Sequence, residues 1–546
     1  MSSPFLRRGA ALLATPALAL GALAALPAAP SYAAEVDPAP VAAGAAWLET
    51  QLTDGLVFNP NFGGFDDYGL SIDVALGLDS VGGHDATVQT ITDAIATNLD
   101  SYTSYPTGDS THVLAGSLGK ALALATSAGR DGNAFGGTDL VADLEAQVAT
   151  EGPIAGRLQD TFDPTQQFEA DFSNTIGQAF AVQGLDAEAS ARVDPVTDFL
   201  LAQQCSEGFF RLNFAAADAP LQACDADPEA SPDTDVTALA VIALQSQTDD
   251  ADVQAAVTRA TDWLAGVQNA DGSFGGGTST EAPNTNSTGL AAWALGTEGD
   301  TARAAAAATW VRGLQADDTA PCASGLTPDN GAVAYDAAAR NTARGEGVTD
   351  ATEDQFRRAS AQALPGLQWA PLEGTGPVAV PEQEFFQQAG RKVSVVSSGG
   401  LAPGDTVCVT RGGAVAARTT AGDNGQAVAR VTLPAGTALR TFVVRSGEAT
   451  VGSTTVQVLA ATKVGLKVAK ARVTRGAFDT VKVSGLVRGE SVRVFLRGKP
   501  VAAGTANAQG VLTKRFKVTG DLGKATVKVV GQFGNRTNTT TITVIR

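Results

Sequence analysis

The chain of 546 residues carries 57 Asp+Glu against 38 Lys+Arg, a net charge of −19, with two His, one Met and four Cys. So acidic a chain is not a nucleic-acid reader, and two His, neither near a Cys, leave no zinc set of the usual kind. Its length corresponds to roughly two to four domains.

The chain opens with Arg7 and Arg8 ahead of a long Ala/Leu run, and Ser31-Tyr32-Ala33 puts small residues at both recognition positions of a cleavage site. Residues 1–33 therefore read as a secretory signal peptide, cut after Ala33 or Ala34. The expected localisation is secreted, extracellular or cell-surface associated. No later apolar run reaches the roughly 20 residues of a membrane span, and the C-terminal "TTTITVIR" has no hydrophobic tail. Export permits disulfides. Cys205 and Cys224 bracket a short loop, so a bridge there removes roughly 3 kcal/mol of unfolded-chain freedom. Pairing of Cys322 with Cys408 is the remaining option and would tie two halves of the chain together.

Residues 38–370 repeat. An aromatic followed by an aliphatic residue and a Gln occurs in "WLETQ", "FLLAQQ", "WLAGVQ" and "WVRGLQ". Gln51, Gln204 and Gln268 are each followed four positions on by Gly55, Gly208 and Gly272, and the last joint continues to Phe274; the fourth, Gln315, meets Thr319 instead. Small-residue-rich helical segments start at Tyr68, Thr111, Asn174, Thr234, Ser287 and Gly331, with more polar amphipathic helices between them. Six inner and six outer helices at an irregular repeat spacing predict a closed ring, since closure shields both faces of the inner set without capping repeats.

Residues 371–391 read as a Pro/Gly/Gln linker. Beyond it, Val/Thr alternation broken by Gly predicts two antiparallel β-sandwiches, residues 392–460 and 462–546. Charge divides at the same place. Residues 391–546 hold 24 Lys+Arg and 6 Asp+Glu, net +18, while residues 1–390 are net −37. Such asymmetry in an exported chain points to docking of the two parts or to retention of an anionic cell-envelope polymer by the basic one.

At the joints "QLTDGLV", "QCSEGFF" and "QNADGSF" the chain resembles the terpenoid cyclase and protein prenyltransferase superfamily, whose prenyltransferase and squalene-oxidase repeat carries Q-x3-G-x-W. The resemblance covers roughly residues 40–370, with Val or Phe where the family has Trp. It implies an alpha-alpha toroid, so the fold expected for the whole chain is a multidomain α then β arrangement, an (α/α)6 toroid followed by two Ig-like β-sandwiches. Class II cyclases of this superfamily open an inner helix with D-x-D-D-T-A, whose central Asp is the general acid. "DTDVTALAVIAL" places Asp233 and Asp235 on the first two acids, but Val236 stands in place of the third. The competing role for either residue is to cap the helix.

The inner segments also offer Tyr68, Phe180, Trp293 and Tyr335 as π faces for a ligand. Most other Phe residues, among them Phe168, Phe172, Phe209 and Phe210, fall in joining loops at the ends of the ring. The acidic stretch with Asp225, Asp227 and Glu229 lacks EF-hand spacing, and no metal site or cofactor is expected. No G-x-S-x-G elbow, phosphate loop or H-E-x-x-H is present. The leading expectation is an exported binding protein whose ring holds an apolar or planar ligand or a protein partner, with basic modules that orient or anchor it. A divergent squalene-type cyclase using Asp235 is the alternative, and a glycan-acting enzyme using Asp66, Asp67 and Asp73 is a third.

Overall fold

A computed structural model describes residues 35–107, 110–166, 169–319, 322–372, 380, 383–397, 399–422, 424–447 and 449–546. The leader with its cleavage site and Phe168 lie outside them. Helices fill the N-terminal part, and a β-rich part with several sheets follows from Phe386. Among the described residues no helix is long and apolar enough to cross a membrane.

The helices are α1 (Ala39–Thr50), α2 (Tyr68–Val81), α3 (Asp85–Thr97), α4 (Leu99–Thr103), α5 (Ala115–Ser127), α6 (Leu140–Ala146), α7 (Thr175–Ala187), α8 (Val193–Ala202), α9 (Thr234–Leu244), α10 (Ala251–Val267), α11 (Thr285–Thr297), α12 (Thr301–Arg312), α13 (Ala337–Glu346) and α14 (Asp350–Ala363). Helices α2, α5, α7, α9, α11 and α14 pack in that order, and α14 packs back on α2. Outside this closed cycle, α3, α6, α8, α10 and α12 each lie on the inner helix of their own pair, and α1 lies on α14 and α2. Polar side chains start the inner helices: Asp67, Asn174, Asp233 and Asn284 each accept from first-turn backbone N–H groups. Small residues then let neighbours close up. A Cβ on Gly177 would stand 2.8 Å from the Cα of Gly116, so α5 and α7 touch through their backbones.

The joints explain how successive pairs are held. Gln204 donates both amide hydrogens, to the Gly208 carbonyl at 2.9 Å and to the Ala256 carbonyl on α10 at 2.8 Å. Gln268 does the same with Gly272 and with Arg303 on α12. Each joint glycine takes a positive φ and presses on the next outer helix, so that a Cβ on Gly272 would lie 2.4 Å from the Ala306 carbonyl oxygen. Two residues on, the Phe210 and Phe274 N–H groups donate to Thr237 and Thr288 of the following inner helix.

Two further joints carry no Gln-x3-Gly signature. Gly156 presses on α8, Leu158 donates to Gln178 Oε1, and the amide of Gln178, on the inner helix, reaches the Gly156 and Val196 carbonyls. Gln315 donates to the Gly331 and Pro40 carbonyls, and Val333 donates to Ser360, so Gly331 fills the place that Thr319 leaves open. This last joint clasps α1 and shuts the outer layer. Gln51 departs from the pattern: its Oε1 accepts from Arg357, and its amide stays on its own helix at Trp47 and Thr50.

One inner element differs from the sequence expectation. The segment from Gly331 is not the sixth inner helix: residues 331–336 form the joint, α13 begins only at Ala337, and α14 occupies the inner place. The polar sequence of α14 hides this, because Arg357 and Arg358 are used up in contacts with Glu353, Asp354, Asp67 and the Phe58 carbonyl.

The β-rich part holds two units of the same topology. In the first, strands Phe386–Gln388, Ala449–Leu459, Ala438–Ser446, Thr406–Arg411 and Ala414–Thr420 form one sheet in that order, and Val428–Thr432 pairs with Lys392–Val396 in another. In the second, Arg472–Thr474, Thr537–Ile545, Gly523–Val530, Ser491–Leu496 and Lys499–Thr505 repeat the five-stranded sheet, while Gly465–Val468, Phe478–Ser484 and Leu512–Lys517 form the other. In each, a short early strand lies parallel beside the last one, and the second unit has the additional first strand Gly465–Val468 in its smaller sheet. The stretch read as a linker, 371–391, thus already contains strand Phe386–Gln388.

The first β unit is fastened to the ring. Cys322 is disulfide-bonded to Cys408, and Cys205 to Cys224 within the ring. Arg312 of α12 lies between Asp37 at 2.7 Å and Asp405 at 2.5 Å, and Arg418 donates to the Cys322 and Ala323 carbonyls. Burial, aided by Asp317 and Asp37 and opposed by Arg312, pushes the Asp405 carboxyl up to about 6.

Candidate functional site

Inside the helical cycle lies a cavity of about 330 Å³, walled by Leu76, Ile176, Phe180, Leu239, Leu290 and Trp293. Helical periodicity explains the lining: Ile176, Phe180 and Gln183 fall on one stripe of α7, Leu239 and Ile242 on one of α9, and Leu290 and Trp293 on one of α11. A few polar groups also line it, among them Asp73 paired with Lys120, Asp79 bonded by Ser127, and Gln362.

Lys120 is the one cation among the lining residues. Its Nζ lies 2.6 Å from Asp73 Oδ1, donates to the Gly69 carbonyl at 2.9 Å, and stands 5.6 Å from the centre of the Phe180 ring. Burial opposes its charge, yet Asp73 beside it, with Tyr102, outweighs that and raises the ammonium pKa, so it stays protonated. Burial also raises the neighbouring Tyr102 phenol. A second cleft of about 470 Å³, lined by Tyr102, Tyr105, Phe172 and Asn174, shares Lys120, Ile176 and Phe180 with the first. Lys120 therefore stands where the two spaces meet. Sequence reasoning missed it, although it is the sole Lys before residue 391.

Asp233 accepts from the Asp235 and Val236 N–H groups and caps α9. Asp235, one turn before Leu239, is buried; desolvation, lowered in part by the nearby Ser287 hydroxyl and reinforced by Asp233, pushes its carboxyl up to about 6. Neither Asp235 Oδ1 nor Ser287 Oγ finds a hydrogen bond of good geometry. The Tyr335 phenol is raised by burial and then by Asp235 and Asp336. Glycines of the joint loop make room here: a Cβ on Gly277 would lie 2.0 Å from Asp233 Oδ2, and one on Gly276 would lie 2.9 Å from Ser287 Oγ.

The other candidate residues are dispersed. Phe180 and Trp293 line the cavity; Tyr68 instead faces Tyr102, with ring centres 6.2 Å apart, and Tyr335 sits on the joint before α13. Of the loop aromatics, Phe172 lines the second cleft, whereas Phe209 and Phe210 are buried packing residues. Asp67 caps α2 and pairs with Arg358, Asp73 pairs with Lys120, and Asp66 lies apart on an exposed strand. Asp225 accepts from Ser206, and Asp227 pairs with Arg211 at 2.7 Å.

No protein-family model matches the chain, and no curated protein matches it. Among solved structures, a protein from Actinoplanes is similar at 20% identity and a TM-score of 0.42, covering 61% of this chain and 98% of its own. The type II terpene cyclase MstE from Scytonema is similar at 16% identity and a TM-score of 0.41, covering 60% of this chain and 96% of its own. The Yersinia pseudotuberculosis adhesin InvE is similar at 16% identity and a TM-score of 0.16, over 31% of this chain and 58% of its own.

Proposed function

We propose that this chain is an exported binding protein in which an (α/α)6 toroid holds a small, mostly hydrocarbon molecule and two Ig-like sandwiches hold the ring at an anionic surface. The observation that supports this is the cavity, whose 330 Å³ and mostly apolar walls surround a single half-buried ion pair. That volume lies at the lower end of the roughly 300–1,000 Å³ of small-molecule sites. With Asp73 already neutralising it, Lys120 suits a neutral oxygen acceptor on the ligand better than a second anion. The test is titration of the mature protein with 2-undecanone, followed by tryptophan emission with Trp293→Phe as the control. A saturable change lost in the variant is expected; no saturable change in the wild type would overturn the binding reading.

A divergent terpenoid cyclase is the second reading, favoured by the raised Asp235 carboxyl, whose Oδ1 is buried without a hydrogen bond. Two observations rank it lower. Val236 replaces the third acid of the motif, and a carboxyl raised to about 6 is a weak proton donor, whereas starting a carbocation needs a strong one. Incubation with squalene and shorter polyprenyls, comparing wild type with Asp235→Asn, decides between them; products that vanish in the variant would put the cyclase first.

A further inference from the structure

We infer that the outer face of the three-stranded sheet in the second β unit is a docking surface for a flexible, linear, phosphate-bearing polymer. This rests on the proposal that the basic β-rich part holds an anionic partner. Residues 461–546 contain 17 Lys+Arg and 3 Asp+Glu. Two of the three acids are turned inward: Asp479 is 2% exposed, and Glu490 is fully buried, 2.7 Å from Arg536. Asp521 lies in the turn that follows strand Leu512–Lys517. The fold thus takes acids off this surface and leaves cations on it.

The register sets those cations side by side. Lys467 lies directly opposite Lys482, Thr480 opposite Arg515, and Phe478 opposite Lys517. Alternation turns Val481, Val483, Leu512 and Phe516 inward, so Lys467, Lys482, Arg515 and Lys517 share the exposed face. Like charges directly opposed across strands destabilise a sheet, and among the described residues of these three strands no carboxylate faces the pair. An anionic partner relieves that repulsion.

The chemistry of the face selects the kind of polymer. Lysine ammonium groups are compact point charges that suit phosphate. Same-face positions are spaced about 4.8 Å across strands and about 6.8 Å along them, so successive charges of the partner must follow a bending path that a flexible single chain takes and a stiff duplex does not. The Arg515 guanidinium lies 4.2 Å over the Phe478 ring, covering the aromatic surface on which a base would stack. A flat sheet face also offers nothing to enter a groove.

The experiment measures binding of the mature full-length protein to long-chain linear polyphosphate across a series of NaCl concentrations. The logarithm of affinity should fall linearly with the logarithm of salt. Lys467→Gln with Lys482→Gln should flatten that slope by about 1.4, whereas Lys467→Arg with Lys482→Arg should preserve it. The matched control is Lys524→Gln with Lys528→Gln on the outer face of the five-stranded sheet, which should leave affinity within about twofold at equal salt. Loss in this control and none in the Lys467/Lys482 variant would overturn the face while leaving an anionic partner in place. Absence of binding by the wild type at low salt would remove both proposals. Tighter binding of duplex DNA than of polyphosphate at equal phosphate concentration would overturn the polymer class.

Discussion

Asp235 has a measurable signature apart from any activity. Its folded-state pKa of about 6 exceeds the unfolded value of 3.8, so the native state binds the extra proton and the associated stability is present below about pH 4 and lost as pH rises through 6. Asp235→Asn should therefore stabilise the protein at pH 7.5, by at most about 3 kcal/mol, and the difference should vanish near pH 4. Thermal melts of both proteins at the two pH values check this, and a pH-independent difference would contradict the burial argument. Asp233 and Asp235 were legible in the sequence because a motif marks them, and of the two roles open to it, acid or helix cap, Asp233 makes the capping contacts. Lys120 was not legible as a site residue, since one Lys in "AGSLGKALALATS" reads as an ordinary helix position. Its place against Asp73 depends on two helices far apart in sequence. Being the sole Lys of the acidic part was the signal available.

Joints, rather than helices, carry the repeat. Gly272 and Gly299 have nearly equal φ, +89° and +91°, but only Gly272 faces a neighbour, the Ala306 carbonyl, while Gly299 has nothing within 4 Å. Gly299→Ala should cost about 1–2 kcal/mol for the left-handed backbone alone, and Gly272→Ala roughly 1–3 kcal/mol more for displacing α12. Denaturant melts of the two variants measure the gap; equal losses would mean that the joint does not hold the next helix. Gln204–Gly208 and Gln268–Gly272 could be read directly because one short motif contains both partners. The joints at Gly156 and Gly331 could not, because their amides come from Gln178 on the inner helix and from Gln315, sixteen residues upstream. For the same reason "GAVAYDAAA" looks like an inner helix in the sequence: its apolar residues serve the joint, whereas the polar α14 reaches its neighbours through Arg358 to Asp67 and through Arg357 to Gln51 and the Phe58 carbonyl, contacts that no hydrophobic pattern reveals.

At the scale of the molecule, the contacts that join the ring to the first β unit include a disulfide, an arginine between two carboxylates, and hydrogen bonds from Arg418 to the Cys322 and Ala323 carbonyls and from the Thr406 N–H to Asp317. Replacing Cys322 and Cys408 by Ser should lower stability by about 2–4 kcal/mol, and calorimetry should then resolve separate transitions for ring and β units. A single transition at the wild-type temperature would show that the remaining contacts suffice. The Gln315 joint adds a constraint of timing. It seats α1 through the Pro40 and Gly331 carbonyls, so the first helix to be synthesised has no complete resting place until some 290 residues later, when the last joint arrives. A chain made from its N-terminus must keep that helix uncommitted through most of its synthesis, and the helical cycle is sealed only as synthesis nears the β units.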